Sequence, residues 1–180
     1  MKTNLPIVKS GKIILREINS DDFIDLFECG KSQLMCMTLN WGPFYRLFEA
    51  KYVINEIYLK RPENGLPVGY GIIVDNKLIG VVDYHSYDDI HNSIEIGYFL
   101  NENYWHKGIM TKAVKEAIKV AFNHLEADKV IIGSALENER SINLIKRLGL
   151  KYEYELLKEY KDENHLCLYY SIYKNEFKGE

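Results

Sequence analysis

The sequence predicts a three-layer α+β domain in which helices flank a mixed central sheet of about six to seven strands. The first observation is that hydrophobic residues alternate with a period of two in segments bounded by short turns, namely 12–18, 68–75, 78–87, 93–100, 129–135, 151–161 and 165–173. The second is that helical periodicity occurs between these segments. The chain has 180 residues, of which 47% are hydrophobic, so we expect one domain over residues 1–180.

The segment 93–111 carries the most information, because it runs from a strand through a short turn into a helix. The two faces of the strand carry different residues, with Ile94, Ile96 and Tyr98 on one and Glu95, Gly97 and Phe99 on the other. From Thr111 the pattern is that of an amphipathic helix, whose apolar positions are Ala113, Val114, Ala117, Ile118, Ala121, Phe122 and Leu125.

The turn at residues 106–111 is a predicted seat for a diphosphate. The first N–H groups of a helix have no partners within the helix, and they carry the positive end of the helix dipole. Lys107 adds charge and Gly108 permits close approach of the backbone. Such amides can equally bind water. The three-glycine dinucleotide fingerprint and the Gly-Lys-Ser/Thr phosphate loop are absent, so neither a Rossmann domain nor a nucleotide triphosphatase is favoured.

A second helix is predicted after the buried strand 129–135. Asn138 can cap its start, and Gly149 follows its end at the position where a left-handed residue is preferred. One face of the helix is apolar, with Ile142, Ile145 and Leu148. The chain thus has a second strand that leads into a helix.

These segments together resemble the GNAT superfamily of acyl-CoA-dependent N-acetyltransferases, and specifically its ribosomal-protein N-terminal acetyltransferase (RimJ/RimL-like) branch. The matching motifs are Glu95-Ile-Gly-Tyr-Phe-Leu100, Tyr104-Trp-His-Lys-Gly-Ile-Met-Thr111, Asn138-x-x-Ser141 and Leu148-Gly149-Leu150. The opening strand 12–18, followed by Asp21-Asp22-Phe23, also matches, and the order of elements agrees over nearly the whole chain.

The resemblance implies a GNAT fold that is splayed at the central strand, where Gly97 would tolerate a bulge. The open strand would pair with the pantetheine arm, and an N–H near Phe99 or Leu100 could polarise the thioester oxygen. The implied cofactor is acetyl-CoA as cosubstrate, without a metal. The residues implied to bind it are Tyr98, Phe99, Leu100, His106, Lys107, Gly108, Ile109, Met110, Thr111, Asn138 and Ser141.

The chain departs from the family pattern at three positions. Trp105 replaces the usual Gln or Arg of the turn, as is common in the RimL-like branch, and Met110 must point away from the cofactor or crowd it. Ile145 occupies the position of the tyrosine that many members use as the acid for the leaving thiol. The resemblance to the branch therefore assigns that role to Ser141.

Glu95 is the candidate base for the amine, directly or through a water, because a carboxylate in mid-strand between isoleucines is costly unless it is solvated or used. Alternatives remain for each polar residue. Glu95 could bind a neighbouring backbone group or a substrate ammonium. Ser141 could be a helix-cap hydroxyl, Asn138 could be a plain N-cap, and His106 could be a solvated loop residue.

Composition and the remaining motifs argue against several classes of protein, namely nucleic-acid-binding, membrane-spanning and metal-binding proteins. A net charge of −3 and a pI near 6.0, without a Lys/Arg-rich run, argue against direct nucleic-acid binding. Three cysteines without CxxC spacing indicate reduced thiols, and no apolar stretch approaches membrane-spanning length, so we expect a cytoplasmic protein. The cluster from His85 to His91 could hold a metal, but Asp88-Asp89 is ordinary turn chemistry, and we expect no metal.

The leading hypothesis is an acetyl-CoA-dependent N-acetyltransferase for a primary amine, either a protein N-terminus or a small molecule such as a polyamine or an aminoglycoside. The resemblance implies that helices around 20–30 and 46–60 form a wall of the acceptor groove. Arg16, Glu17, Trp41 and Tyr45 are candidate acceptor contacts. Alternatives are a non-catalytic acyl-CoA-binding sensor and a structural interaction domain. The tyrosine-rich hairpin 151–173 could also support a homodimer.

Overall fold

The architecture is that of one eight-stranded mixed sheet, seen in a computed structural model that describes residues 2–37, 39 and 41–178. The order of the strands across the sheet is β1-β2-β3-β4-β5-β6-β8-β7. Their bounds are β1 Val8–Ser10, β2 Ile13–Glu17, β3 Tyr70–Val74, β4 Lys77–Asp88, β5 Ser93–Leu100, β6 Lys129–Ala135, β7 Lys151–Tyr160 and β8 Glu163–Tyr173.

The predicted α+β class is confirmed, and all neighbouring strands are antiparallel except the parallel pair β5 and β6. The sheet has one strand more than the upper end of the prediction. The additional strand, β1, pairs with β2 through Val8–Ser10 only. Three residues are too few to show an alternating pattern, so this strand gave no recognisable signal in the sequence.

Helices cover both faces of the sheet. Their bounds are α1 Phe23–Gly30, α2 Gln33–Cys36, α3 Leu47–Tyr52, α4 Ile109–Asn123 and α5 Glu139–Arg147. The helix predicted at 46–60 is α3 followed by a wider π-helical segment, Val53–Tyr58. Within the described ranges, no helix has both the length and the apolar composition needed to cross a bilayer.

Two hydrophobic cores lie on opposite faces of the sheet, which makes the fold three layers. Neighbouring strand residues alternate between them, for example Ile72 in one core and Ile73 in the other. One core contains α4 and α5, with Val114, Ile118 and Ile145 fully buried. The other core contains residues of α1, α2 and α3. The strand alternation in the sequence therefore reflects two buried faces of one sheet.

β5 and β6 pair over a short distance and then separate. Ser93–Glu95 pair with Lys129–Ile131, whereas β5 continues to Leu100 and β6 continues alongside β8. The last part of β5 is bound to β4 on one side only. The predicted splay at the central strand is therefore present, and it leaves one backbone edge of residues 97–100 open.

The predicted position of the bulge was wrong. The register shift lies in β4 rather than at Gly97, and His85 is the additional residue between Tyr84 and Ser86. Gly97 has another function, because a Cβ at this position would approach His85 Nδ1 to 2.8 Å and Asp83 Oδ1 to 3.1 Å. The glycine therefore makes room for two polar side chains of the neighbouring strand.

The terminal hairpin β7–β8 carries cross-strand tyrosine pairs, as expected from its sequence. The rings of Tyr154 and Tyr169 stack with centroids 4.6 Å apart, and Tyr152 meets Tyr170 edge-on at 5.9 Å. In the turn between the strands, Lys161 donates from Nζ to the carbonyl oxygen of Cys36 at 2.8 Å. This bond ties the end of the hairpin to α2.

The three cysteines are buried free thiols, in agreement with the prediction. Burial raises the pKa of Cys29 to about 12 and also raises the pKa of Cys36. Cys167 lies in a small cluster with Ala135 and Tyr169. The thiols of Cys29 and Cys36 are therefore protonated and unreactive near neutral pH.

A buried ion pair fixes the start of α1, and it allows a stability prediction. Asp22 is buried and accepts two bonds from the Arg16 guanidinium, at 2.7 and 2.8 Å, and one from Asn19 N–H. Asp22→Asn is expected to lower the free energy of unfolding by about 2 kcal/mol in urea titration, because it leaves part of a guanidinium without its charged partner. The control is Glu28→Gln, which breaks an exposed pair with Lys31 and should cost less than about 0.5 kcal/mol. Equal losses would contradict this account.

Candidate active site

Three elements meet at the open end of β5. The indole Nε1 of Trp105 donates to the carbonyl oxygen of Leu100 at 2.7 Å. The guanidinium of Arg140, in the first turn of α5, lies 4.0 Å from the centroid of the Trp105 ring. Trp105 thus joins the end of β5, the turn before α4 and the start of α5, so that both helix N-termini lie beside the splay.

The turn that leads into α4 presents unpaired backbone amides. His106 and Gly108 have left-handed backbones, with φ of 60° and 70°, and no side chain caps the helix. The first intrahelical bond from this turn is that from Lys112 N–H to Gly108 C=O, so the amides of 109–111 have no partner within the helix. A Cβ at Gly108 would meet nothing within 4 Å, so the approach to these amides is open. The turn therefore fits an anionic group such as a diphosphate.

The side chains of the turn differ in where they point. Met110 is buried in the core with α4 and does not crowd the turn. Lys107 donates from Nζ to the carbonyl oxygen of Asn103 at 2.9 Å and lies over the Tyr104 ring. His106 is exposed, and Ile109 and Thr111 are half-buried. The predicted diphosphate seat therefore consists of backbone amides, while the Lys107 ammonium is held beside residues 103–104.

Tyr98 and Ser141 face each other across the splay. The Tyr98 hydroxyl is hydrogen-bonded to Ser141 Oγ at 2.9 Å, and burial raises the pKa of Tyr98 to about 12. The backbone N–H of Ser141 donates to Asn138 Oδ1 at 3.2 Å, so the predicted cap of α5 is present. Ile145 is fully buried, which agrees with its having no part in proton transfer. A hydroxyl pair therefore lies on the α4/α5 face of β5.

Glu95 lies on the opposite face of β5, at the end of a chain of charged side chains. Its Oε1 is 3.2 Å from His85 Nε2, and His85 Nδ1 is 3.2 Å from Asp83 Oδ1. Asp83 Oδ2 in turn accepts from Arg61 at 3.1 Å. The side chains follow one another in the order Arg61, Asp83, His85, Glu95, and the signs of their charges alternate. We refer to these four residues as the charge chain.

Each member of the charge chain supports the charge of the next. Burial alone would lower the pKa of His85, but bonds to Asp83 and Glu95 raise it to about 9. Burial opposes the charge on Glu95, yet the pKa of this carboxyl is lowered by His85. The pKa of Asp83 is lowered in the same way by Arg61 and His85, against burial. At neutral pH the carboxylates and the imidazole are all ionised.

The predicted acceptor wall is only partly assembled from the residues that were named for it. Trp41 stacks on Phe44 at 4.9 Å and meets Phe99 of β5 edge-on at 5.1 Å, so it links the wall to the splayed strand. Tyr45 is three-quarters exposed. Arg16 is bound to Asp22, and Glu17 accepts the N–H of Leu5 at 2.7 Å. Arg16 and Glu17 therefore have structural partners of their own and do not join the aromatic cluster of Trp41, Phe44 and Phe99.

The histidines of the sequence cluster 85–91 belong to different ion pairs. His85 is in the charge chain, whereas His91 bonds to Asp88 at 2.6 Å in the turn between β4 and β5. Among the residues with described coordinates, no group of three or more His, Cys, Asp or Glu side chains has an arrangement suited to a metal ion.

Most contact partners of the predicted site residues were not predicted from the sequence. Asp83 interrupts an apolar strand run as Glu95 does, and the same signal could have identified it. His85 gave no such signal as a partner of Glu95, because it reaches the carboxylate only through the bulge in β4. Arg61 and Arg140 come from distant segments, and nothing in their local sequence indicates their contacts.

Comparison with known proteins identifies the family. Residues 12–151 match the sequence model of the family described as "Acetyltransferase (GNAT) domain". A putative ribosomal N-acetyltransferase, YdaF of Bacillus subtilis (strain 168), is 33% identical over 119 residues, a match that covers 65% of this chain and 64% of that protein. Spermidine N(1)-acetyltransferase of Escherichia coli (strain K12) is 25% identical over 141 residues, or 75% of this chain and 76% of that protein.

The fold is shared with solved structures of the same kind. RimL, a ribosomal L7/L12 α-N-protein acetyltransferase solved in complex with coenzyme A, superposes with a TM-score of 0.81 at 18% identity, over 93% of this chain and 98% of that chain. The eight-stranded sheet, its splay at the central strand and the match over most of the sequence agree with one another, and the chain belongs to the GNAT acetyltransferase family.

Proposed function

We propose that the protein transfers an acetyl group from acetyl-CoA to a primary amine, carried by a protein N-terminus or by a small molecule such as a polyamine. The observation that carries this proposal is the open edge of β5 beyond Glu95, with free helix amides at one end and an ionised carboxylate on the far face. The named relatives, a ribosomal N-acetyltransferase and a spermidine acetyltransferase, support an amine acceptor of either size.

The cosubstrate would be held mainly by backbone groups. The amides of 109–111 would bind the pyrophosphate, and the open edge of residues 98–100 would pair with the amides of the pantetheine arm as a further strand does. The carbonyl of Leu100 already accepts from Trp105, which orients the end of this edge. When bound, acetyl-CoA supplies a thioester carbonyl that an amine can attack.

Glu95 would accept the proton of the attacking amine, directly or through a water. As the N–C bond forms, the nitrogen loses its lone pair and becomes strongly acidic, so a carboxylate is basic enough to take its proton. His85 holds the Glu95 carboxylate ionised and in place, because its Nε2 donates to Glu95. The other ring nitrogen of His85, Nδ1, donates to Asp83, which fixes the imidazole. The base is therefore oriented by a second residue that is itself fixed.

Ser141 would protonate the leaving sulfur. When the tetrahedral intermediate collapses, the C–S bond breaks and its electron pair goes to sulfur, which takes the hydroxyl proton of Ser141. The amine has lost one proton to Glu95 and the thiol has gained one from Ser141, so the reaction is balanced once Glu95 releases its proton to water and Ser141 takes one proton up from water. Ser141 and Glu95 act on opposite faces of β5, which matches departure of the thiol on one side and entry of the amine on the other.

Two further expectations remain predictions. We place the protein in the cytoplasm, since buried reduced thiols suit a reducing compartment. The hairpin exposes Tyr152, Leu156 and Leu157, and self-association through it would give a dimer mass in light scattering at micromolar concentration.

The proposed activity is tested by following release of free thiol from acetyl-CoA with peptide N-termini, polyamines and aminoglycosides. The parent should turn over one acceptor class, and Glu95→Gln should lower kcat/KM by about 100-fold, because the amide cannot accept the proton. Binding of CoA, measured by calorimetry, should be unchanged. The control is Glu155→Gln, which alters an exposed glutamate of β7. Binding of CoA without turnover of any acceptor would instead favour a sensor module.

The charge chain predicts how stability depends on pH. The pKa of His85 is raised to about 9 in the folded state from an ordinary value of 6.5, so its contribution is fully present below about pH 6.5 and is lost as the pH rises through about 9. The difference in Tm between the parent and His85→Gln should therefore be large at pH 6 and shrink by pH 10.

The matched control is His91→Gln, which alters an exposed histidine of a turn. Its Tm difference from the parent should be small and nearly constant over the same pH range. A His85→Gln difference that does not change between pH 6 and pH 10 would show that the imidazole carries no charge that stabilises the fold.

A further inference from the structure

A half-buried tyrosine contacts the residue that the proposed reaction uses as its acid. The Tyr98 hydroxyl lies 2.9 Å from Ser141 Oγ, and the two side chains come from β5 and α5, across the gap where β5 and β6 separate. The contact is on the α4/α5 face of β5, opposite Glu95.

A serine in the first turn of a helix has several orientations open to it. Its hydroxyl carries one hydrogen and two lone pairs and rotates freely, and such serines often donate back to a nearby backbone carbonyl. The backbone N–H of Ser141 is already bound by Asn138, which holds the main chain but leaves the hydroxyl undirected. A second partner is therefore required if the hydrogen is to point towards a substrate.

We propose that Tyr98 is a positioning residue whose hydroxyl donates to Ser141 Oγ and so leaves the Ser141 hydrogen directed at the leaving sulfur. A donated bond occupies one lone pair of the serine oxygen and stabilises the negative charge that develops there when its proton goes to sulfur. The inference rests on the proposed function, because it concerns the same acetyl transfer.

Two features of Tyr98 suit this role. Burial raises its pKa to about 12, so the phenol keeps its hydrogen over the whole working pH range and remains a donor. The tyrosine also lies in a strand that pairs with β4 through Val82 at this position, which fixes the backbone that carries the ring.

The test is a double-mutant cycle with Tyr98→Phe and Ser141→Ala, followed by thiol release from acetyl-CoA. Tyr98→Phe should lower kcat about tenfold and leave KM for acetyl-CoA unchanged, because it removes one hydrogen bond that matters only when the thiol departs. In the Ser141→Ala background the same change should have no further effect. This lack of additivity is the result that a merely structural tyrosine would not produce.

The control is Tyr84→Phe, which removes the hydrogen-bonded hydroxyl of a buried tyrosine on the neighbouring strand. Tyr84 donates to the carbonyl oxygen of Ala117 in α4 at 2.8 Å. This variant should lower Tm and leave kcat unchanged. The comparison separates the loss of a buried hydrogen bond from the loss of an oriented acid.

Three outcomes would overturn the inference. Equal losses in both Ser141 backgrounds would show that Tyr98 acts independently of the serine. An unchanged kcat with tighter CoA binding would show that the hydroxyl pair only closes the gap before the cosubstrate enters. A parent protein that releases no thiol with any amine would remove the proposed function and the inference together, whereas the first two outcomes leave the proposed function intact.

Discussion

The pairing of β5 with β6 stops after three residue pairs, Ser93–Glu95 with Lys129–Ile131. A parallel pair that ended later would fill the backbone edge of β5 with hydrogen bonds from its own sheet and leave no strand for a ligand to pair with. Because the strands separate at Glu95, one edge of residues 97–100 is open while β4 still holds the other. The site depends on this combination of an open edge and a rigid support.

The polar side chains of the candidate site lie on two faces of β5. Side chains alternate along β5, so Tyr98 meets Ser141 on the face covered by α4 and α5, and Glu95 meets His85 on the other. The bulge at His85 brings its imidazole to Glu95, and Gly97 provides the space for it. Ser141, the proposed acid, and Glu95, the proposed base, therefore lie on opposite sides of one strand.

Local sequence patterns predicted most of the fold. The period-two alternation of hydrophobic residues in strands and the periodicity of helices both depend only on residues that are close in sequence. The strand 93–100 and the cap at Asn138 were predicted in this way. β1 was not, since three residues show no period. The candidate site was predicted through single residues, and its contacts were missed because they join distant segments, as Arg61 does with Asp83. The bulge in β4 was missed because no residue type is specific to it.

The most direct test of the account is amide hydrogen exchange with and without CoA. CoA should slow exchange at 109–111 and at those amides of residues 97–100 that face away from β4, and it should leave Ser93–Glu95 unchanged because this segment is paired with a strand on both sides. Binding of CoA that protects other segments and leaves 97–100 and 109–111 unchanged would contradict the assignment of the open edge of β5 as the cosubstrate site.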